Sequence, residues 1–136
     1  MKDLDAVLKS KKILIVDDES FMRTVLSGII KHLGFMGVSE ARDGKSALDM
    51  LKAKSFNVCF CDWEMPGMNG LDLFNAVKSD DSLKQLGFIM VTGNSEAEKV
   101  KEAIESGIKE YIAKPFNEEI IRQKLIKVLS ADYQQS

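Results

Sequence analysis

The chain of 136 residues has only two cysteines, one histidine, two prolines and one tryptophan, and no apolar run approaches the length of a membrane span. Each shortage excludes something. Cys59 and Cys61 stand two apart, with no CxxC pair and only His32 to join them, which argues against a zinc site. At i and i+2 of a strand the two thiols point to one face and behave as small buried hydrophobes. The opening MKDLDAVLKSKK has no apolar signal-peptide core, which predicts a cytoplasmic protein with reduced thiols. An excess of one charge is also missing. The 19 Lys and Arg against 21 Asp and Glu give a formal net charge of −2, and so no electrostatic footprint for nucleic acid or an anionic membrane. No P-loop or GxGxxG is present, so direct use of ATP is not supported.

What is present is an alternation of strand-length apolar runs with segments of helical period, which predicts an α/β fold with a parallel sheet covered on both faces. Five such pairs are expected in one domain, residues 1–136, with 1–11 as an extension carrying a half-turn of helix through Leu4, Val7 and Leu8. The strands are expected at Ile13 to Val16, Val38 to Ala41, Phe56 to Cys61, Gly87 to Thr92 and Ile108 to Ala113. The third is apolar at nearly every position and so central. The first helix buries Met22, Val25, Leu26, Ile29, Ile30 and Leu33 and closes at Gly34, with His32 a cation near its carboxyl end when protonated. The second turns in at Asp43-Gly44 and buries Ala47, Leu48 and Leu51. A short helix, Leu71 to Val77, precedes a polar link. Ser95 and Glu98 have capping-box spacing for a fourth helix that ends at Gly107. Asn117 caps the last, whose inward face is Ile120, Ile121, Leu125, Val128 and Leu129, and residues 131–136 fray. Met22, Met50 and Met90 suit the core, and Met65 and Met68 belong to the loop after the third strand.

The residues that close these strands form a set: Asp17 and Asp18, Asp62, Thr92, and Lys114 just past the fifth. In an open α/β sheet of order 2-1-3-4-5, strand order reverses between strands one and three, and the crevice outside their carboxyl ends brings Asp17, Asp18 and Asp62 together. Three carboxylates there repel one another unless a hard divalent cation takes their oxygens, and Mg²⁺ is the natural choice. With Lys114 and that ion the site is neutral and can accept a phosphoryl group. Asp62 is the expected nucleophile, forming an aspartyl-phosphate, with Lys114 and the Thr92 hydroxyl holding phosphoryl oxygens. Trp63 is expected as a partly exposed neighbour without a chemical role.

In chain order VDDE, Asp62 within CDWEMPGMNG, the VTG of strand four and Lys114-Pro115-Phe116 resemble the receiver domain of bacterial two-component response regulators. The resemblance runs from about Lys12 to Leu129. Details such as DW-MP-M-GL-L and MVTG make the chain similar to the stand-alone, CheY-like chemotaxis group. The resemblance implies a flavodoxin-like, doubly wound five-stranded parallel sheet of order 2-1-3-4-5. It implies Asp62 as phosphoacceptor, Mg²⁺ on Asp17, Asp18, Asp62 and the backbone carbonyl of Glu64, and Lys114 paired with the phosphoryl group. Thr92 would swing toward that group and Tyr111 rotate inward, changing the surface of the fourth helix, fifth strand and fifth helix. A cis Lys114-Pro115 bond is implied as well. The expected partners are a CheA-like histidine kinase and a downstream protein, either a flagellar motor switch or a phosphatase, with the chain a monomer that binds neither nucleic acid nor membrane.

Two departures stand out. Glu64 and Asn94, where receivers tune the lifetime of the phosphoryl group, read as a swap of the Asn and Glu common in chemotaxis proteins. Glu96 and Ala97 stand where motor-binding relatives carry lysines, although Lys99, Tyr111 and Lys124 lie on the expected face. The alternatives are the amino-terminal receiver of a larger regulator and a haloacid-dehalogenase-like phosphatase. The end of the sequence soon after the fifth helix favours a free-standing protein. The phosphatase needs a DxD on the first strand, where this chain has adjacent aspartates, and an acid pair after the lysine, where only Glu118 and Glu119 follow. No enzymatic turnover is expected beyond self-directed phosphotransfer and autodephosphorylation.

Overall fold

The computed structural model describes residues 6–93 and 97–130. The elements run α1 (Ala6–Lys9), β1 (Lys12–Val16), α2 (Ser20–His32), β2 (Gly37–Ala41), α3 (Gly44–Ala53), β3 (Val58–Asp62), α4 (Gly70–Lys78), a 3₁₀ turn (Asp81–Leu83), β4 (Gly87–Thr92), α5 (Ala97–Ser106), β5 (Glu110–Ala113) and α6 (Glu118–Leu129). All strands are parallel, in the order β2-β1-β3-β4-β5.

The period-2 alternation of side chains sorts the core into two layers. Leu14, Val16, Cys59, Cys61, Phe88 and Met90 face α3, α4 and α5, where they meet Ala47, Leu51, Leu73, Phe74, Val77 and Ala103. Ile13, Ile15, Val58, Phe60, Ile89, Val91 and Ile112 face α2 and α6, against Leu26, Ile30, Ile121, Leu125 and Val128. Both cysteines are free and buried on one face, as their spacing predicts. β3 and β4 are buried at every position because helices cover both sides.

The helices stop and start where the local chemistry requires. Gly34, at φ 108°, takes the left-handed conformation after the α2 C-cap Leu33, and the Gly34 N–H bonds Lys31 O at 2.9 Å. Asn117 accepts from Ile120 N–H as the α6 cap, and Asp43 accepts from Ser46 N–H at α3. The Lys114-Pro115 peptide is cis.

Several expectations need correction. β3 begins at Val58 rather than Phe56, because Asn57 is drawn off to Lys12: its Oδ1 accepts from Lys12 N–H at 2.8 Å and its N–H donates to Lys12 O at 2.8 Å. β5 begins at Glu110 rather than Ile108, whose N–H turns back to Ala103 O at the end of α5. The polar link holds one 3₁₀ turn, capped by Asp80. Ile120 is 37% exposed, not inward. Met65 and Met68 lie in the loop between β3 and α4 as expected, with Met65 packed into the core and Met68 against it. His32 stands at the carboxyl end of α2 as expected, and its Nδ1 also lies 2.8 Å from Glu118 Oε1. The Ser95–Glu98 capping box, Asn94, Glu96, Leu4 and the tail 131–136 lie outside the described residues, as do the side chains of Val7, Ala97 and Lys99.

Candidate functional site

Asp17, Asp18, Asp62, Thr92 and Lys114 rise from the carboxyl edge of the sheet. β1 pairs through Val16 with both Ala41 and Cys61, so Asp17 follows directly on the last paired position. Asp62 ends β3 opposite Val91 of β4, and Thr92 ends β4 opposite Ala113. Lys114 comes next, tied to β4 by its N–H to Thr92 O at 2.8 Å.

This register brings the charges together. The carboxylate oxygens offered by Asp17, Asp18 and Asp62 lie within 4.8 Å of one another. Lys114 Nζ is 3.2 Å from Asp62 Oδ1 and 3.4 Å from Asp17 Oδ2. Asp17, Asp62 and Thr92 are buried and Asp18 is exposed. Asp17 Oδ1 also accepts from Glu19 N–H at 2.9 Å, which fixes the direction of its carboxylate. The group opens into a cleft of about 280 Å³ lined by Asp18, Glu19, Asp62, Glu64, Gly93 and Lys114.

The electrostatics are unbalanced toward the negative. Burial first and then the Asp17 charge push the Asp62 carboxyl up to about 6, against the opposing pull of Lys114. Burial works to lower the Lys114 ammonium, but the Asp62 and Asp17 carboxylates outweigh it and hold it above its ordinary value. One ammonium therefore faces more carboxylate than it neutralises. A cluster of hard oxygen donors with surplus negative charge, opening on a cleft, fits a hard divalent cation and offers no soft ligand.

The loop behind Asp62 is held just as closely. Trp63 N–H donates to Val91 O at 2.9 Å and Trp63 O accepts from Gly70 N–H at 2.9 Å. A Cβ on Gly70 would lie 2.5 Å from Asp62 O and 2.7 Å from Met90 Sδ, so only glycine lets the start of α4 approach the strand end this closely. Trp63 is 3% exposed, which corrects the expectation of partial exposure: its ring packs into the α3–α5 layer. Glu64 is exposed at the cleft, and Tyr111, 39% exposed, stands on the edge strand.

The sequence of the response regulator receiver domain family matches residues 13–126. The chain belongs to this family. Among its relatives, the chemotaxis protein CheY of Pseudomonas aeruginosa is 42% identical over 117 residues, 86% of this receiver and 94% of that protein. CheY-3 of Vibrio cholerae is 42% identical over 126 residues, 92% and 97% of the two chains. The crystallized chemotaxis protein CheY4 of Vibrio cholerae superposes with a TM-score of 0.81 at 32% identity, covering 88% of this receiver and 99% of that chain. The receiver domain of the sensor histidine kinase PA1611 of Pseudomonas aeruginosa, which has a magnesium ion coordinated in its active site cleft, shares the fold. Its TM-score is 0.78 at 22% identity over 85% of this receiver and 94% of that chain. This is a CheY-like receiver domain, and receivers are signalling switches between histidine kinases and downstream targets rather than enzymes in the ordinary sense. Among the described residues no helix is long and apolar enough to cross a membrane.

Two charged contacts, one at the site and one away from it, escaped sequence reasoning. Arg23 reaches the site from α2, with Nη1 2.7 Å from Asp17 O and Nε 3.2 Å from Glu40 Oε1. The usable signal was its place early in a helix that starts beside Asp17, because helical side chains lean toward the amino end. Glu110, fully buried on β5, pairs with Lys124 and Lys127 of α6 at 2.9 Å each. Nothing in a short strand predicts that an acid would lie beneath two lysines of the following helix.

Proposed function

We propose that this receiver is a phosphorylation-operated switch that accepts a phosphoryl group on Asp62 from a phosphohistidine of a histidine kinase. The observation that carries the reading is the grouping of Asp17, Asp18 and Asp62 with Lys114 in one cleft. An Asp62 carboxylate oxygen attacks phosphorus, the O–P bond forms, and the P–N bond breaks with its electron pair leaving on the imidazole. Lys114 Nζ, already 3.2 Å from Asp62, stabilises the negative charge on the transferred group, and the Thr92 hydroxyl holds a second phosphoryl oxygen. Asp17, Asp18, Asp62 and the Glu64 carbonyl would hold Mg²⁺, which when bound neutralises the carboxylates and the incoming oxygens.

Phosphorylation then biases a two-state equilibrium. Thr92 moves toward the phosphoryl group, Tyr111 turns inward from the edge strand, and the surface of α5, β5 and α6 changes for a downstream protein. The chain acts as a cytoplasmic monomer and turns over no substrate besides its own phosphoryl group, with Glu64 and Asn94 setting how long that group lasts. A chemotaxis-type kinase as donor is supported by the 42% identity to CheY proteins.

The test is a titration of Trp63 fluorescence with Mg²⁺ and then beryllofluoride, with intact mass after a small phosphodonor, in wild type and Asp62→Asn. A metal-dependent change, then a second change and a phosphoryl adduct that both need Asp62, are expected. Fluorescence that ignores both reagents, with no adduct, would leave only a docking role for the fold.

A further inference from the structure

We infer that Arg23, braced by Glu40, is a positioning residue that holds the Asp17 carboxylate in place for the cation site, an inference that rests on the proposed function of that site. Asp17 is the first residue beyond the paired length of β1: both ladders end at Val16. Its N–H still finds Ala41 O at 3.2 Å, but its carbonyl faces no strand. A carbonyl in such a place needs a donor, and the Arg23 guanidinium provides it at 2.7 Å. Arg23 is only 18% exposed, and its Nε is engaged by Glu40 of β2 at 3.2 Å. One planar side chain thus connects the end of β2 to the peptide that carries Asp17.

The carboxylate end of Asp17 is fixed separately, by Glu19 N–H on one oxygen and Lys114 Nζ on the other. Those bonds act on the oxygens, whereas the Asp17 peptide from which the side chain springs is held at its carbonyl by Arg23. The guanidinium suits the task because it donates in two directions from one rigid plane; an ammonium has the charge without the fork. Residues that orient ligands without touching the metal commonly change its affinity by tenfold or more.

Position and charge predict opposite signs. As a mere nearby cation, Arg23 repels Mg²⁺, and its removal would tighten binding. As a brace, its removal weakens binding. The experiment is Mg²⁺ affinity by Trp63 fluorescence, with thermal unfolding alongside, for wild type, Arg23→Gln and Arg23→Lys. Both variants are expected to bind about tenfold more weakly, and Lys does not rescue. Equal or tighter binding by Arg23→Gln overturns the inference. Should that variant not fold, Arg23→Lys decides alone, and wild-type affinity there overturns it equally. Lower thermal stability with unchanged affinity shows a merely structural contact and also overturns it. A wild type that binds no Mg²⁺ refutes the cation site itself, a different result from any of these.

Discussion

Removing Glu110 and removing its two lysines abolish the same ion pairs, yet the costs should differ. The Glu110 side chain is 2% exposed, whereas Lys124 and Lys127 are 27% and 60% exposed, each Nζ 2.9 Å from a Glu110 oxygen. In Glu110→Ala the stranded ammoniums remain hydrated, so the loss is that of two screened charge-assisted bonds, about 2 kcal/mol. In Lys124→Met with Lys127→Met a buried carboxylate keeps its desolvation cost and loses these two ammoniums, a change of about 3 kcal/mol. Urea unfolding at constant m separates the two. A Glu110→Ala loss equal to or larger than that of the double lysine variant would refute the reasoning. The pH dependence supplies a second check. Burial works to raise the Glu110 carboxyl, but the hydrogen bonds from Lys127 and Lys124 outweigh it and hold the group below its ordinary 4.5. A folded value below the unfolded one means the contribution is complete above 4.5 and lost as pH falls through the lowered value. The stability gap between wild type and Glu110→Gln should be flat from neutral pH to about 5 and close only in acid below that.

Gly70→Ala forces a methyl against Asp62 O and should cost about 1–3 kcal/mol while slowing phosphoryl acceptance from a small donor, both measured on the purified variant. Unchanged stability would mean that α4 shifts freely. Exchanging the residues proposed to tune phosphoryl lifetime, Glu64→Asn with Asn94→Glu, should alter the decay of phosphoprotein followed by intact mass; an unchanged decay removes that role. Burial raises both thiols, with the neighbouring Cys59, Asp62 and Asp17 charges adding to it at Cys61, so neither should react with a thiol reagent at pH 8 until the chain unfolds. Rapid labelling of the folded protein would contradict that burial.

Much of the fold was legible because the central strands are covered on both faces and must therefore be apolar throughout; β4 was placed from Gly87 to Thr92, as found. Boundaries failed where an apolar residue serves something other than the ladder. Ile108 is buried but closes α5, and Phe56 packs beside the core before β3 begins. The acid cluster was readable because strand order puts specific sequence positions on one edge. The supports of that cluster were not, since a bond from Arg23 to a backbone carbonyl leaves no mark in residue type. Trp63 was misplaced for a related reason: its neighbours Asp62 and Glu64 suggest water, but the alternation within the chain sends the indole the other way, into the core.

β3 and β5 differ in how firmly they are moored. β3, which ends in Asp62, is bonded along both sides, to β1 as far as Cys61 and to β4, whereas β5 pairs within the sheet only with β4. Lys114 and Tyr111 thus belong to the compliant margin of the sheet, and Asp62 to its stiffest line. Displacing the strand that ends in Asp62, the proposed acceptor, would strain two ladders at once, but displacing β5 strains one. The mechanical stiffness is graded across the molecule, so that under the proposed function the point receiving the input stays still while the border that conveys the output can yield.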